Sequence, residues 1–509
     1  MKATTGRVLL VRLLAMPLLL WFQPASSALA CVVGSGNGAS CTETVLNACL
    51  PGGGTFDGTV TFNCGGAPAT IIVTSTKTIS TDTTIDGGGL ITISGGTTVQ
   101  VFTVNSGVTF TVQNLTIADG KTSGEGAGIH NSGTTNVTNC TFSGNTADPM
   151  IGEGGAIWND DDKTTTIHNS TFSGNSAGEG GAIWNGMNGE VIVVGCTFSE
   201  NTANSGEGGA IWSNSFGTVR VTASTFSKNT ANSGEGGAIW SNDDATVTVA
   251  ESTFSENTAN SGEGGAIWSN TRGTVTVTRS TFSKNTANLG EGGAIWNNFD
   301  GIVTVANCTF VGNTANLGEG GAIWNNTDGT VTVLNCTFSG NRADEGGAVW
   351  NGTNGTATLV NTIVADDSGG NCFGSITDGG HNIDDGMSCG FSSANHSLSN
   401  TDPGLDPAGL ADNGGPTQTI ALLLTSPAID AGDNAVCRTP PVDGVDQRGE
   451  PRFSSRDANC DIGAFEVQRA QPAPAASGAV LLLMLTALAV LGWHRVATPY
   501  QLRCTSLNS

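Results

Sequence analysis

Between residues 124 and 365 the chain repeats one pattern of apolar and polar positions. In the copy that begins at Glu263, Gly265-Ala266-Ile267-Trp268 is a short apolar run and Asn270-Thr271-Arg272-Gly273 is turn-forming. Thr274-Val275-Thr276-Val277-Thr278 then alternates strictly, Ser280-Thr281-Phe282 is a third run, and Lys284-Asn285-Thr286-Ala287-Asn288 turns back. Strict alternation puts the valines on one face and the threonines on the other. Three strands and three turns per copy describe one rung of a parallel β-helix. The tryptophans set the period: Trp158, Trp184, Trp212, Trp240, Trp268, Trp296, Trp324 and Trp350 follow one another at 28 residues, with two steps of 26. His130 fills the same slot 28 residues before Trp158. Such a period predicts an all-β solenoid of about 28 residues per coil, in which each unit buries its apolar face against its neighbours.

The flanks differ. Ser40-Cys41-Thr42-Glu43 reads as a capping box with Ser40 as N-cap, opening a short helix that covers the first coil. Residues 70–118 alternate less regularly and make the first, irregular coils, so 31–118 is expected to be cap and irregular coils and 119–365 the regular repeats. At the N-terminus, Lys2, Arg7 and Arg12 precede an apolar run over 13–22, and Ala28-Leu29-Ala30 offers a cleavage site, so 1–30 reads as a secretory signal. Cys31 follows directly, and a lipoprotein site is the rival reading. Residues 475–493 are apolar and uncharged, long enough to cross a bilayer as one transmembrane helix, with 467–474 as linker and 494–509 as a basic cytoplasmic tail. The expectation is an exported chain at the cell surface or outer envelope, held by its C-terminus or released after processing, and a monomer.

Charge narrows the partners. The segment between signal and tail holds all 43 acidic residues but 14 of the 19 basic ones. A field of that sign repels phosphate backbones and argues against nucleic acid. Of 13 cysteines, Cys504 lies beyond the apolar run, leaving 12 on the exported side, where disulfides are expected. Cys31, Cys41, Cys49 and Cys64 cluster early, and Cys372 with Cys389 and Cys437 with Cys460 are the expected later pairs.

Gly-Gly-Ala-Ile copies alternating with Phe-x-x-Asn copies, the latter from Phe142-Asn145 to Phe338-Asn341, resemble the repeat of polymorphic outer membrane proteins. The resemblance covers about half the chain and implies a right-handed parallel β-helix on a bacterial surface. That family's best known members end in a barrel, whereas this chain ends in one apolar run. Asp402-Pro403, Asn413-Gly414-Gly415-Pro416, Ser426-Pro427-Ala428-Ile429-Asp430-Ala431-Gly432, Asp446-Gln447-Arg448-Gly449 and Asp461-Ile462-Gly463-Ala464-Phe465-Glu466 resemble a choice-of-anchor Q domain, placed over 366–466.

Stacked rungs turn each repeated residue into a column spaced at about 4.8 Å. Asn145 to Asn341 are expected to stack amide on amide, and Phe142 to Phe338 to fill the core. Cys308 and Cys336 read as buried thiols. Two columns are candidates for function. The tryptophans, on the face opposite the core isoleucines, are expected to form an outward stripe able to bind sugar rings or a protein, unless loops cover it or it only knits the rungs. The acidic column runs Glu125, Glu153, Glu179, Glu207, Glu235, Glu263, Glu291, Glu319 and Glu345, five residues before each tryptophan slot. Carboxylates about 5 Å apart repel by roughly 3 kcal/mol at an effective dielectric near 20. They must splay, share protons or hold cations such as calcium. No motif demands catalysis. Asp160-Asp161-Asp162-Lys163, His168, Asp243-Asp244, Asp300 and Asp328 are the irregular candidates for a polysaccharide lyase or glycoside hydrolase, and polar turns explain them more simply.

Overall fold

Every buried backbone amide needs a partner, and in a solenoid each strand finds its partners on the coils before and after it. In the computed structural model, which describes residues 30–453 and 459–468, the chain winds in this way from Cys31 to Asp384. One regular coil carries the strands Ile267–Ser269, Thr274–Thr278, Thr281–Ser283 and Thr286–Ala287. All pair in parallel without slippage: Ile267 lies opposite Ile239 and Ile295, Val275 opposite Val247 and Val303, and Phe282 opposite Phe254 and Phe310. The tryptophan strands stack into a twelve-stranded sheet, while the second and third strands belong to a 25-stranded sheet. Thr286–Ala287 is a strand where the sequence predicts only a turn; it pairs with Thr258–Ala259 and Thr314–Ala315. The preceding Asn column holds each of these turns at the same height, so two residues suffice to continue the ladder.

The core is a tube. Ile267, Val275, Val277 and Phe282 are fully buried, as are their counterparts on neighbouring coils. Phenylalanine rings stack 4.6–4.9 Å apart and within 9° of parallel along the bore, and each contributes about 1.5–3 kcal/mol by burial. The asparagine column is satisfied by its own repeat. Asn229 donates Nδ2–H to Asn257 Oδ1 at 2.9 Å and to the Phe198 carbonyl at 3.0 Å, and its backbone N–H also reaches Asn257 Oδ1. Cys140, Cys196, Cys308 and Cys336 are buried free thiols. Three residues before each phenylalanine the chain turns a left-handed corner, with φ between 46° and 67° from Asn139 through Asn169, Gly195 and Ala223 to Asn335.

The ends are closed differently. A helix over Glu43–Cys49 covers the first coil, and disulfides join Cys31 to Cys49 and Cys41 to Cys64. Its N-cap is Thr42, not Ser40: Ser40 accepts from Ser35 N–H and donates to the Asn37 carbonyl in a 3-10 turn, while Glu43 is drawn to Lys77 and Thr74. At the other end, disulfides join Cys372 to Cys389 and Cys437 to Cys460. Beyond Asp384 the chain doubles back, and parts of residues 417–464 lie along the flank of the coils that carry Thr281, Thr309, Thr337 and Ile363. We call this returning segment the clasp. The expected signal over 1–30, all but its last residue, and the apolar run over 475–493 and basic tail lie outside the described residues; among the described residues no helix is long and apolar enough to cross a membrane.

Candidate functional site

The tryptophan strands bury isoleucine on one side and present tryptophan on the other, as alternation requires. Trp158 through Trp324 form an apolar cluster of their own, separate from the tube's interior. They do not form an open stripe. Each of these indoles is 7–9% exposed, because its faces are covered by the indoles above and below. Ring centroids lie 4.9–5.4 Å apart with planes within 11° of parallel. His130 extends the stack at one end, 4.4 Å over Trp158, and Phe373 extends it at the other beyond Trp350. The expectation of a flat, open aromatic platform is corrected on this point: a sugar ring would need a free indole face, and stacking has taken both.

The glutamate column runs beside the indoles, half-buried from Glu153 to Glu319 and exposed at its ends, Glu125 and Glu345. Trp158 donates Nε1–H to Glu153 Oε2 at 2.9 Å. The indole N–H groups of Trp184, Trp212, Trp240, Trp268, Trp296, Trp324 and Trp350 are buried without closing a hydrogen bond. Glu179 and Glu207 still feel the N–H of Trp184 and Trp212. Burial, then the neighbouring charges of Glu207 and Glu153, push the Glu179 carboxyl up to about 7. Burial and the charges of Glu207 and Glu263 do the same to Glu235, also to about 7. Glu153, Glu207, Glu263 and Glu291 are raised as well, in each case first by burial. Glu207, Glu235 and Glu263 act on one another along the column, so their protonation is linked. Of the three outcomes open to such a column, proton sharing is what this geometry favours. Among the described residues no three His, Cys, Asp or Glu side chains are grouped to hold a metal.

The irregular acidic turns have a backbone explanation. Asp162, Asp244, Asp300 and Asp328 each sit four residues after a tryptophan with φ between 55° and 60°, a conformation asparagine and aspartate adopt more readily than most residues. Asn188, Phe216, Arg272 and Asn354 hold the same corner on other coils. Arg272 pairs with Asp244 on the next rung at 2.7 Å, tying coils together. His168 is exposed on the sheet surface.

Sequence reasoning missed the buried ion pairs of the clasp. Arg452 is fully buried and donates to Asn307 Oδ1 at 2.8 Å, to Glu466 Oε2 at 3.2 Å and to the carbonyls of Val445, Asp461 and Gly463. Burial, and secondarily the charge of Asp461, raise Glu466 to about 8 against the pull of Arg452. Gln447, also fully buried, bonds Thr281, Thr309 and Thr417. These groups fasten the clasp to the coils.

Two family comparisons match the coils. A right-handed beta helix region is matched over residues 71–254. The Chlamydia polymorphic membrane protein repeat is matched over 251–270, 279–298, 307–326 and 335–352. Together they bear out the repeat β-helix read from the sequence. Among solved structures, the Streptococcus pneumoniae surface protein and adhesin PfbA is similar at 14% identity, over 61% of this chain and 97% of that one, with a TM-score of 0.32, an overlap too loose to carry an argument. No curated protein matches the chain.

Proposed function

We propose that this chain is an exported, surface-held β-helix that acts as an adhesin or a structural surface protein. The observation that carries the reading is the run of polymorphic membrane protein repeats in unbroken register, a rigid rod whose repeated polar columns bond the next coil instead of converging on a substrate. The resemblance of 366–466 to a choice-of-anchor Q domain, with an apolar run after it, supports a chain tethered by its C-terminus. Glycan binding is retained as a proposal for the rod's open walls rather than for the indole faces.

The second reading is a β-helical polysaccharide lyase or hydrolase, for which Asp160-Asp161-Asp162-Lys163 with His168 is the most irregular cluster. A glycan array on the chain from Cys31 onward, with products followed by mass spectrometry, separates the two. Binding without turnover supports adhesion; cleavage overturns it. Calcium on the glutamate column is a separate proposal, and a melting temperature that ignores added calcium disposes of it.

A further inference from the structure

The clasp sits on a receptor built by three consecutive corner asparagines, each followed two residues later by an outward side chain: Asn307 with Thr309, Asn335 with Thr337, and Asn361 with Ile363. Asn307 donates to the carbonyls of Val442 and Val445 at 3.3 and 3.0 Å and accepts from Arg452. Asn335 reaches Cys437 Sγ, and Asn361 bonds both the N–H and the carbonyl of Asp433. The threonine hydroxyls complete the seam, Thr309 to Gln447 and Thr337 from the Ala464 N–H.

The same arrangement recurs once. Asn114 with Thr116, Asn139 with Thr141, and Asn169 with Thr171 stand on three consecutive coils near the other end of the rod. Their φ values of 56°, 52° and 48° match the 52°, 50° and 50° of the clasped three. Asn139 donates to Asn114 at 3.1 Å as Asn361 donates to Asn335 at 3.2 Å. Between the two sets the corner is Gly195, Ala223, Glu251 and Arg279, so the asparagine run is not a requirement of the turn. Here no described residue covers it: Asn139 and Asn169 are exposed and the threonines half-exposed. One difference bears on the partner. Asp86 lies at the end of this run and accepts from Asn114 at 3.0 Å and Gln113 at 2.9 Å. Partial burial works against its charge, but those bonds and the Gly88 N–H keep the carboxyl below its usual range. The clasp supplies its own acid, Glu466, for Arg452; the open copy supplies one from the rod.

We propose that Asn114, Asn139 and Asn169 form a second docking seam, and that it takes a turn-rich, arginine-bearing segment of another protein, laid across the coils as the clasp is. Asparagine amides would bond that segment's backbone, threonine hydroxyls its amides, and Asp86 its guanidinium. The seam does not depend on whether the rod is an adhesin, so it stands or falls separately.

The probe is a synthetic peptide with the sequence of residues 433–453 carrying Cys437→Ser, titrated by calorimetry into the intact chain, whose own clasp stays in place. One saturable site per chain is expected. Binding should weaken at least tenfold in the Asn139→Gly/Asn169→Gly chain, whose corners stay relaxed because Gly195 already occupies this column. A peptide carrying Arg452→Ala should weaken similarly, and more so at low salt. Absence of saturable binding, or affinity unchanged by the glycine pair, overturns the proposal. A dimer in sedimentation that the glycine pair dissolves would put a second copy's clasp on the seam and overturn the choice of partner.

Discussion

The coils from residue 134 to 255 and those from 281 to 365 share one repeat, yet identical residues do different work in them. Thr281, Thr309 and Thr337 are 0–2% exposed and bonded to a segment more than a hundred residues later. Thr141, Thr171 and Thr225 occupy the same column half-exposed, and Thr197 is exposed. In the open coils stability is the sum of neighbouring rungs. In the clasped coils the outer wall has become part of a second core, with Ala306 packed against Cys437, Val442 and Cys460. A repeat residue is therefore neutral or structural according to what is laid over it.

Arg452→Ala should break that difference most. It strips Asn307, Glu466 and three carbonyls of their buried donor, at a cost of about 1–3 kcal/mol for each acceptor left unsatisfied. Hydrogen exchange should accelerate through residues 433–467 and in the strands over 302–365, while residues 134–231 keep their protection. Uniform acceleration along the rod would mean that the clasp is not a local device. Removing the Cys437–Cys460 crosslink by Cys437→Ser/Cys460→Ser should cost about 2–4 kcal/mol, read as earlier proteolysis of the clasp and a lowered Tm. Equal resistance in both proteins would contradict it. A matched pair sharpens the comparison: Thr309→Val leaves the buried Gln447 oxygen without its donor, costing about 1–3 kcal/mol. Thr225→Val on an open coil should stay within about 0.5 kcal/mol. Equal losses in denaturant unfolding would dissolve the distinction between the two regions.

The period, the parallel rungs, the inward valines and phenylalanines and the asparagine stack were legible in the sequence, because each follows from spacing and alternation alone. What lies over a column was not. Alternation put Trp268 outside the tube, but its exposure depends on Trp240 and Trp296 being coplanar with it at about the rung spacing, which periodicity does not report. Nothing in the sequence singles out Arg452, a lone cation between Pro451 and Phe453. Its burial depends on Asn307, 145 residues away. Ser40 lost the helix cap to Thr42 through a turn with Asn37 that the Ser-x-x-Glu spacing does not encode.

The smallest effect concerns the glutamate column, which runs through both regions. Glu179 and Glu235 stand at about 7 when folded against an ordinary 4.5. The folded chain then holds more protons than the unfolded one between those values, so stability falls as pH rises across that window. The contribution is present at the acid end and lost as the pH climbs through about 7. Glu466, at about 8, and Asp461, raised to about 6 chiefly by burial, act in the same direction from the clasp, so the wild-type slope alone assigns nothing. Glu43, held at about 2 by Lys77 and Thr74 although burial opposes it, acts only below 4.5 and in the opposite sense. Glu179→Gln/Glu235→Gln separates the sources, because both positions lie in open coils far from the clasp. Tm should decline from pH 5 to pH 8 in the native chain and decline less in the glutamine pair, whose amides can still bond their neighbours without charge. Parallel curves would place the pH dependence outside these two carboxyls, in the clasp, at Asp366 and Asp367, or in the rest of the column.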